Sequence, residues 1–250
     1  MREEPRLRVA FFRPDDERSA EAAELIESLG ADPVADPMLA VEPTDSCPRE
    51  DADYVILTSK TGVELAAEAD WDPNGATVCA IGQSTADALE SAGYAVDLIP
   101  EEYSSTGLVE ALDSEVAGAR VEVARSDHGS AVLTEGLEAA GAYVHETILY
   151  RLIRPDGAGD SAELAASGDL GAALFTSSLT VTHFLAAADA RGVRREAIAG
   201  LNDAVVGAIG DPTRRTAEDA GIAVDVVPER ADFETLAATV VEDAAPTYRE

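Results

Sequence analysis

Residues 81–100 read IGQSTADALESAGYAVDLIP, and residues 209–228 read IGDPTRRTAEDAGIAVDVVP. The two stretches align without a gap and share 10 of their 20 residues. Earlier segments also match, since VILTS at 55–59 resembles ALFTS at 173–177. A repeat of more than 100 residues is too long for a solenoid unit, so we predict two similar lobes. Two lobes leave a cleft in which a ligand can bind.

Composition sets broad limits on the class of protein. The chain has 250 residues, enough for two separate cores, and carries 49 Asp and Glu against 18 Lys and Arg, with Lys60 as its one lysine. The acids are scattered, which favours a hydrated, salt-adapted surface over an acidic tail that binds basic proteins. The sequence shows no basic face, so nucleic acid is not an expected partner.

Cysteine, histidine and apolar patterns exclude further classes. Cys47 and Cys79 are too few for a disulfide framework. His128, His145 and His183 lack the spacing of metal ligands. The sequence contains neither a signal peptide nor an apolar run of transmembrane length. We therefore expect a soluble, cytoplasmic protein with no metal site and no membrane partner.

Apolar runs alternate with helical periodicity along the chain, which predicts parallel sheets covered by helices on both faces. Prolines make the segment 34–41 an edge strand or a linker, and the Gly/Asp/Ser stretch after Pro155 is predicted to be a loop. The predicted strands are 7–12, 54–57, 77–81, 96–99, 120–124, 143–150, 172–175, 204–209 and 223–227. The predicted helix caps are Asp15 or Asp16, Ser84 or Thr85, and Ser104 or Ser105.

Small hydroxyl residues recur where a predicted strand gives way to a helix. They form two matched pairs of turns, Thr58-Ser59 with Thr176-Ser177 and Gly82-x-x-Thr85 with Gly210-x-x-Thr213. In open α/β sheets this is the carboxyl edge, where ligands bind. Hydroxyls and free N–H groups at a helix start can hold an anion. Each turn also fits plain helix capping, but four turns in matched pairs favour anion binding.

Several charged and aromatic residues near these turns have two interpretations. Arg13 and Arg125 end matched strands and suit either bidentate carboxylate recognition or surface ion pairs. Lys60 is either a ligand-binding cation or a solvated residue of a first helical turn. Tyr150 either supplies a hydrogen bond or proton at a domain edge or packs as a half-buried strand aromatic. The same choice applies to Tyr103.

The order and spacing of these segments resemble the uroporphyrinogen-III synthase family over residues 7–242. At Arg214-Arg215 the chain departs from the family pattern, which more often resembles Ala86-Asp87 of the first copy. The segments that carry the resemblance are VAFFRP at 9–14, VILTSKTGV at 55–63, AIGQSTADALESAG at 80–93, VDLIPEEYSSTGLVEAL at 96–112, VEVARSD at 121–127, ILYR at 148–151, ALFTSSLTV at 173–181 and VDVVPE at 224–229.

The resemblance implies a fold of two similar flavodoxin-like α/β domains. Each is a doubly wound parallel sheet, and a two-stranded linker joins them with a cleft between. By analogy, residues 1–36 and 154–250 form one discontinuous domain, and residues 39–149 form the second. Residues 37–38 and 150–153 are then the connections.

The resemblance also implies the reaction. The linear tetrapyrrole hydroxymethylbilane is cyclised to uroporphyrinogen III, with loss of water and inversion of ring D, by a monomer that needs no cofactor or metal. The product serves haem, sirohaem and cobalamin biosynthesis. Tyr150 matches the family's cleft tyrosine and is the candidate for helping the hydroxyl leave. The expected substrate-binding residues are Arg13, Thr58, Ser59, Lys60, Ser84, Thr85, Tyr103, Ser104, Arg125, Ser126, Thr176, Ser177 and Thr213.

Other functions compete with this one. A bilobed module that closes on a small anion without chemistry is equally consistent with the duplicated lobes. A nucleotide-dependent enzyme is disfavoured because GxGxxG and GxxxxGK[ST] do not occur, and a hydrolase because GxSxG does not occur. A transcription regulator would need a basic helix-turn-helix, and no segment is left over to form one.

Overall fold

The computed structural model describes residues 6–14 and 17–245, so the cap expected at Asp15 or Asp16 lies outside the described residues. The strands are β1 Arg8–Phe11, β2 Asp32–Ala35, β3 Ala40–Pro43, β4 Tyr54–Leu57, β5 Thr77–Ala80, β6 Arg120–Ser126, β7 Tyr143–Ile153, β8 Ala172–Phe175 and β9 Val205–Ala208. The helices are α1 Glu17–Ser28, α2 Lys60–Glu68, α3 Gln83–Ser91, α4 Ser105–Leu112, α5 Ala131–Ala139, α6 Asp160–Ser167, α7 Ser178–Ala190, α8 Arg194–Asn202, α9 Asp211–Asp219 and α10 Phe233–Ala244.

The chain divides into two compact units, each built on one sheet. Unit 1 comprises Met1–Ala40 and Ile153–Glu250, and unit 2 comprises Val41–Leu152. The strand order is β2-β1-β8-β9 in one sheet and β3-β7-β6-β4-β5 in the other. The pairs β1/β2, β1/β8, β8/β9, β4/β5, β4/β6 and β6/β7 all run parallel. The prediction of an α/β fold with parallel sheets is confirmed.

The duplicated sequence appears again in the strand order. When the two sheets are read in strand order, β2 corresponds to β7, β1 to β6, β8 to β4 and β9 to β5. Matched sequence segments therefore occupy matched positions. The segment 34–41 contributes to two short strands, β2 and β3, and each lies at an edge of its sheet, where proline is tolerated.

Two predicted strands, 96–99 and 223–227, were wrong. Each is reduced to an isolated bridge, Cys79 with Leu98 and Gly207 with Val226. The cause is the same in both copies. A carboxylate oxygen of Asp97 accepts from Val78 N at 2.8 Å, and one of Asp225 accepts from the N–H of residue 206, also at 2.8 Å. Because the side chain takes this backbone donor, the regular ladder does not extend.

Each sheet is covered on both faces by apolar side chains. In β8, Ala173 and Phe175 pack into one cluster, and the intervening Ala172 and Leu174 pack into the cluster on the other face. The first face holds three phenylalanines, with Phe12 and Phe175 stacked at 4.6 Å between ring centroids. Unit 2 likewise has two clusters. Strands that are buried on both faces account for the nearly continuous apolar runs.

Two helices were not predicted, and one cap was assigned wrongly. α6 begins within the loop expected after Pro155, and α8 lies in a segment for which neither a strand nor a helix cap was predicted. The start of α6 is held by Asp36, whose carboxylate accepts from Gly159 N at 2.8 Å and Ser161 N at 2.9 Å. The N-cap of α3 is Gly82, not Ser84 or Thr85, because the Gly82 carbonyl accepts the first helical N–H groups. Ser104 caps α4, as expected.

Among the described residues, no helix combines the length and the apolar character that crossing a membrane requires.

Candidate functional site

Hydroxyl and aromatic side chains gather at the carboxyl edge of the unit 2 sheet. Thr58 and Ser59 follow β4, Ser126 ends β6, and Tyr150 lies near the end of β7. These three strands are consecutive neighbours and run parallel, so their carboxyl ends meet at one edge. Gly82 follows β5, the next strand along. This edge is where ligands bind in open α/β sheets.

A hydrogen bond joins Tyr150 to Ser59. The phenol of Tyr150 donates to Ser59 Oγ at 3.0 Å, and the N–H of Gly62 donates to the same oxygen at 3.0 Å as the cap of α2. Tyr150 is 7% exposed, whereas Ser59 is half-buried. A Cβ at position 62 would lie 3.1 Å from Ser59 Oγ. Glycine there leaves room for the serine hydroxyl on which the two donors converge.

An irregularity in β7 aims Tyr150 at this position. Arg125 pairs with Ile148, but the next residue, Ser126, pairs with Tyr150, so Leu149 is an extra residue in the strand. Consecutive strand residues normally point to opposite faces, yet Leu149 and Tyr150 pack into the same cluster. Bulges of this kind redirect side chains and are frequent beside functional sites.

Tyr103 lies over the start of α3. Its side chain is 61% exposed, and a Cβ at Gly82 would come within 3.0 Å of the ring. The neighbouring Ser104 uses its hydroxyl within the protein, accepting from Gly107 N at 3.0 Å and donating to a carboxylate oxygen of Glu102 at 2.8 Å. At this turn the Tyr103 ring is therefore accessible, whereas the Ser104 hydroxyl already has partners within the protein.

The two predicted cations of unit 2 have acidic partners. Arg125 is 5% exposed, and its guanidinium donates to Glu146 and to the backbone carbonyl of Ser130 at 2.5 Å each. Lys60 is exposed, and its Nζ lies 3.6 Å from a carboxylate oxygen of Glu64. Arg125 thus stabilises the turn between β6 and α5. Binding of substrate by these two residues stays a prediction and would require an exchange of partners.

The predicted hydroxyl residues of α3 and α9 differ in accessibility. Ser84 is exposed and lines a groove of about 580 Å³ between α2 and α3, together with Lys60 and Asp87. Thr85 is 5% exposed and the matching Thr213 is 3% exposed, so both side chains pack into their units. A carboxylate at these two turns would be held by backbone N–H groups more than by the threonine hydroxyls.

In unit 1 the predicted residues follow β1 and β8. The guanidinium carbon of Arg13 lies 4.7 Å from the ring centroid of Phe233, a cation–π contact. Ser177 forms a capping box with Thr180 at the start of α7. Thr176 is half-buried just before it. These positions are on the carboxyl edge of their sheet, as predicted for residues that follow parallel strands.

Arg214, where the chain departs from the family pattern, forms surface ion pairs. Its guanidinium lies 2.8 Å from Asp211 and 3.5 Å from Glu218. The hydrogen bond to Asp211, followed by the charge of Glu218, raises the pKa of Arg214. Arg214 could in principle add affinity for anions or pair with surface acids, and this geometry fits pairing with surface acids.

One acid at the carboxyl edge was not predicted from the sequence. Asp127 follows Ser126 and accepts from Leu152 N at 3.0 Å. Partial burial acts to raise its pKa, but hydrogen bonds with His128 and Leu152 outweigh burial and hold the pKa of Asp127 below its usual value. The sequence feature that could have predicted this acid is Ser126-Asp127 at the end of the segment VEVARSD.

The other two histidines are held by hydrogen bonds within their units. Nδ1 of His145 lies 2.7 Å from the buried Glu122 carboxylate, and Nδ1 of His183 contacts the Met38 carbonyl. Across the described ranges, no cluster of three or more His, Cys, Asp or Glu side chains could hold a metal ion.

Comparison with known proteins identifies relatives over almost the whole chain. The family model described as uroporphyrinogen-III synthase HemD matches residues 20–238. A protein from Methanothermobacter thermautotrophicus, provisionally named as a uroporphyrinogen-III synthase, is 37% identical over 238 residues, which is 89% of this chain and 92% of that protein.

Two solved structures resemble the fold. A mutant uroporphyrinogen III synthase from the extremely thermophilic bacterium Thermus thermophilus matches with a TM-score of 0.66 and 20% identity, covering 95% of this chain and 98% of its own. Uroporphyrinogen-III synthetase from Helicobacter pylori matches with a TM-score of 0.61 and 12% identity, covering 94% and 99%. At these identities the likeness shows the fold alone.

Proposed function

The chain belongs to the uroporphyrinogen-III synthase family of cyclising lyases, and on that premise we propose that it converts hydroxymethylbilane to uroporphyrinogen III with loss of water and inversion of ring D. The observation that carries the proposal is the family match across residues 20–238. The match includes the turns that follow β4, β5, β6, β8 and β9. No cofactor takes part in this proposal.

The substrate's chemistry fits the donors that these turns offer. Hydroxymethylbilane carries eight carboxylates, and helix starts present backbone N–H groups and hydroxyls that bind anions without a full positive charge. Such donors suit a chain with 49 acids and one lysine. Proximity is the main catalytic contribution, because a flexible polyanion must be held in one closing geometry.

In the chemical step we propose a supporting role for Tyr150. Its phenol assists departure of the terminal hydroxyl as water, which gives an azafulvene. The other terminal ring then attacks through its substituted carbon to give a spiro intermediate, which fragments and recloses with that ring inverted. The buried position of Tyr150 and its hydrogen bond to Ser59 support this role, because they fix the position of the phenol and a preorganised group costs no reorganisation during reaction.

Several further features belong to the same proposal. We propose two flavodoxin-like domains with substrate bound in a cleft. The predicted domains are residues 1–36 with 154–250, and residues 39–149. Both this division and the full set of substrate-binding residues stay predictions. A monomeric state, a cytoplasmic location and adaptation to high salt are also proposed. The net charge of −31 supports the last of these.

The test is an isomer assay in molar KCl. Hydroxymethylbilane is supplied, the products are oxidised, and type I and type III porphyrins are separated by chromatography. Type III in excess of the spontaneous type I background is the expected result. Only type I, from protein shown to be folded by circular dichroism, would favour a bilobed module that binds small anions without chemistry.

A further inference from the structure

The hydrogen bonds of Ser59 indicate which residue donates the proton to the leaving hydroxyl. A serine hydroxyl has one proton to donate and two lone pairs to accept with. The N–H of Gly62 occupies one lone pair at 3.0 Å, and the phenol of Tyr150 occupies the other at 3.0 Å. The serine's own proton is therefore left to point away from both donors.

The exposed fractions of Ser59 and Tyr150 agree with this arrangement of donors. Tyr150 is 7% exposed and packs in the cluster with Leu57 and Leu149, whereas Ser59 is half-buried at the first turn of α2. Ser59 is therefore the more accessible of the two residues to a ligand at the carboxyl edge. With its proton committed to Ser59, the phenol can only accept a hydrogen bond from a ligand.

We propose that Ser59 is the immediate proton donor to the leaving hydroxyl and that Tyr150 replenishes it, so that the two residues form a relay. The inference rests on the proposed function and refines the site it uses. Ser59 is then a catalytic residue, whereas Tyr150 acts through it.

In this step two proton transfers accompany cleavage of one carbon–oxygen bond. The Ser59 proton passes to the hydroxyl oxygen of the substrate as the phenol proton passes to Ser59 Oγ. The carbon–oxygen bond breaks, and its electron pair leaves with water. The pyrrole nitrogen lone pair forms a ring C=N bond while the ring π electrons shift to form the exocyclic C=C bond of an azafulvenium cation. The negative charge rests on the Tyr150 oxygen, near the positive end of α2. The proton released when the last pyrrole regains aromaticity returns through Ser59 to Tyr150.

Four variants test the relay in the full-length protein, after wild type has been shown to make type III. If Tyr150 donated directly, Ser59→Ala would free the phenol and cost little. The relay predicts instead that Ser59→Ala lowers kcat at least as much as Tyr150→Phe, by about a hundredfold, with KM little changed. The double variant should be no slower than Ser59→Ala, and Ser59→Thr, which keeps a hydroxyl, should retain most of the activity.

A matched control separates catalysis from helix capping. Ser130 caps α5 through the N–H of Val132 at 3.2 Å, so Ser130→Ala loses a comparable cap and should leave kcat unchanged. A second readout is the rate in mixtures of H₂O and D₂O, where two protons in flight give a curved dependence on deuterium fraction. Near-normal kcat for Ser59→Ala, additive losses in the double variant, or a linear dependence would overturn the relay. Absence of type III from wild type would instead refute the proposed function.

Discussion

At the scale of single residues, Gly82 and Gly210 form a natural pair for comparison. Both are N-caps with extended backbone and no side-chain cap. A Cβ at Gly82 would meet the Tyr103 ring at 3.0 Å, whereas at Gly210 the nearest atom within reach is a Pro212 carbon at 3.9 Å. The two glycines therefore share a backbone conformation, but only Gly82 is covered by an aromatic ring.

We predict that Gly82→Ala displaces Tyr103. The added Cβ would contact Cβ and Cγ of Tyr103, and these atoms next to the backbone move less easily than the end of a side chain. The variant should lose about 1 kcal/mol of unfolding free energy and show a higher KM. Gly210→Ala should change stability by about 0.5 kcal/mol or less. Urea unfolding of both variants measures the difference, and equal losses would show that Tyr103 does not press on position 82.

The buried thiol of Cys79 makes stability depend on alkaline pH. Cys79 is 0% exposed, and burial, followed by the charges of Asp97 and Glu115, raises its pKa from 9.0 to about 12. Between these values the unfolded chain loses a proton that the folded chain keeps. The stabilisation is complete below pH 9.0 and is lost as pH rises toward 12, by at most about 1.4 kcal/mol per pH unit.

We therefore predict that urea unfolding at rising pH from about 8 upward gives a falling free energy for wild type and a flatter curve for Cys79→Ala. Cys47→Ala is the comparison variant. Partial burial, followed by the charges of Glu50 and Glu122, also raises the pKa of Cys47, but Cys47 is exposed, so this variant should keep most of the wild-type slope. Parallel curves for all three proteins would mean that the Cys79 thiol ionises as easily when folded as when unfolded.

At the scale of elements, α6 is capped by a residue far away in the sequence. Asp36 is 4% exposed and accepts three hydrogen bonds, from the N–H groups of Gly159 and Ser161 and from the Ser161 hydroxyl. In α10 the cap is local, with Asp232 accepting from Thr235 N at 2.8 Å. The buried cap of α6 comes from a distant residue, whereas the cap of α10 is local and only half-buried.

We predict that Asp36→Ala costs about 2 kcal/mol or more, since buried donors would be left without an acceptor. Asp232→Ala removes an ordinary N-cap and should cost about 1 kcal/mol. Unfolding in urea, followed by circular dichroism, gives both values. A smaller loss for Asp36→Ala than for Asp232→Ala would indicate that water replaces the buried carboxylate.

The same elements show where sequence reasoning succeeds and fails. Strands β4 and β8 were predicted with their final bounds because short apolar runs between polar turns are locally encoded. The helix α6 was missed because its cap comes from Asp36, 123 residues before Gly159. Local patterns also placed Ser59 and Tyr150 at a functional edge but could not predict their hydrogen bond, which depends on the extra residue in β7.

At the scale of the whole molecule, charge dominates. The 49 acids against 18 basic residues repel one another in dilute buffer, where screening extends about 30 Å at 0.01 M salt but only about 3 Å at 1 M. We predict a melting temperature that rises steadily from dilute buffer to molar KCl, with NaCl giving the same trend. A melting temperature that does not change with salt would contradict adaptation to high salt.

The order of strands in unit 1 has a consequence for synthesis on the ribosome. β1 lies between β2 and β8, yet β8 begins at Ala172, and all of unit 2 is translated in between. At cellular elongation rates this gap lasts on the order of ten seconds. Throughout it the nascent chain carries the apolar strand Arg8–Phe11 with one neighbour missing. β1 is thus the strand that waits longest for its second neighbour, and a stalled ribosome would prolong its exposure to chaperones or aggregation.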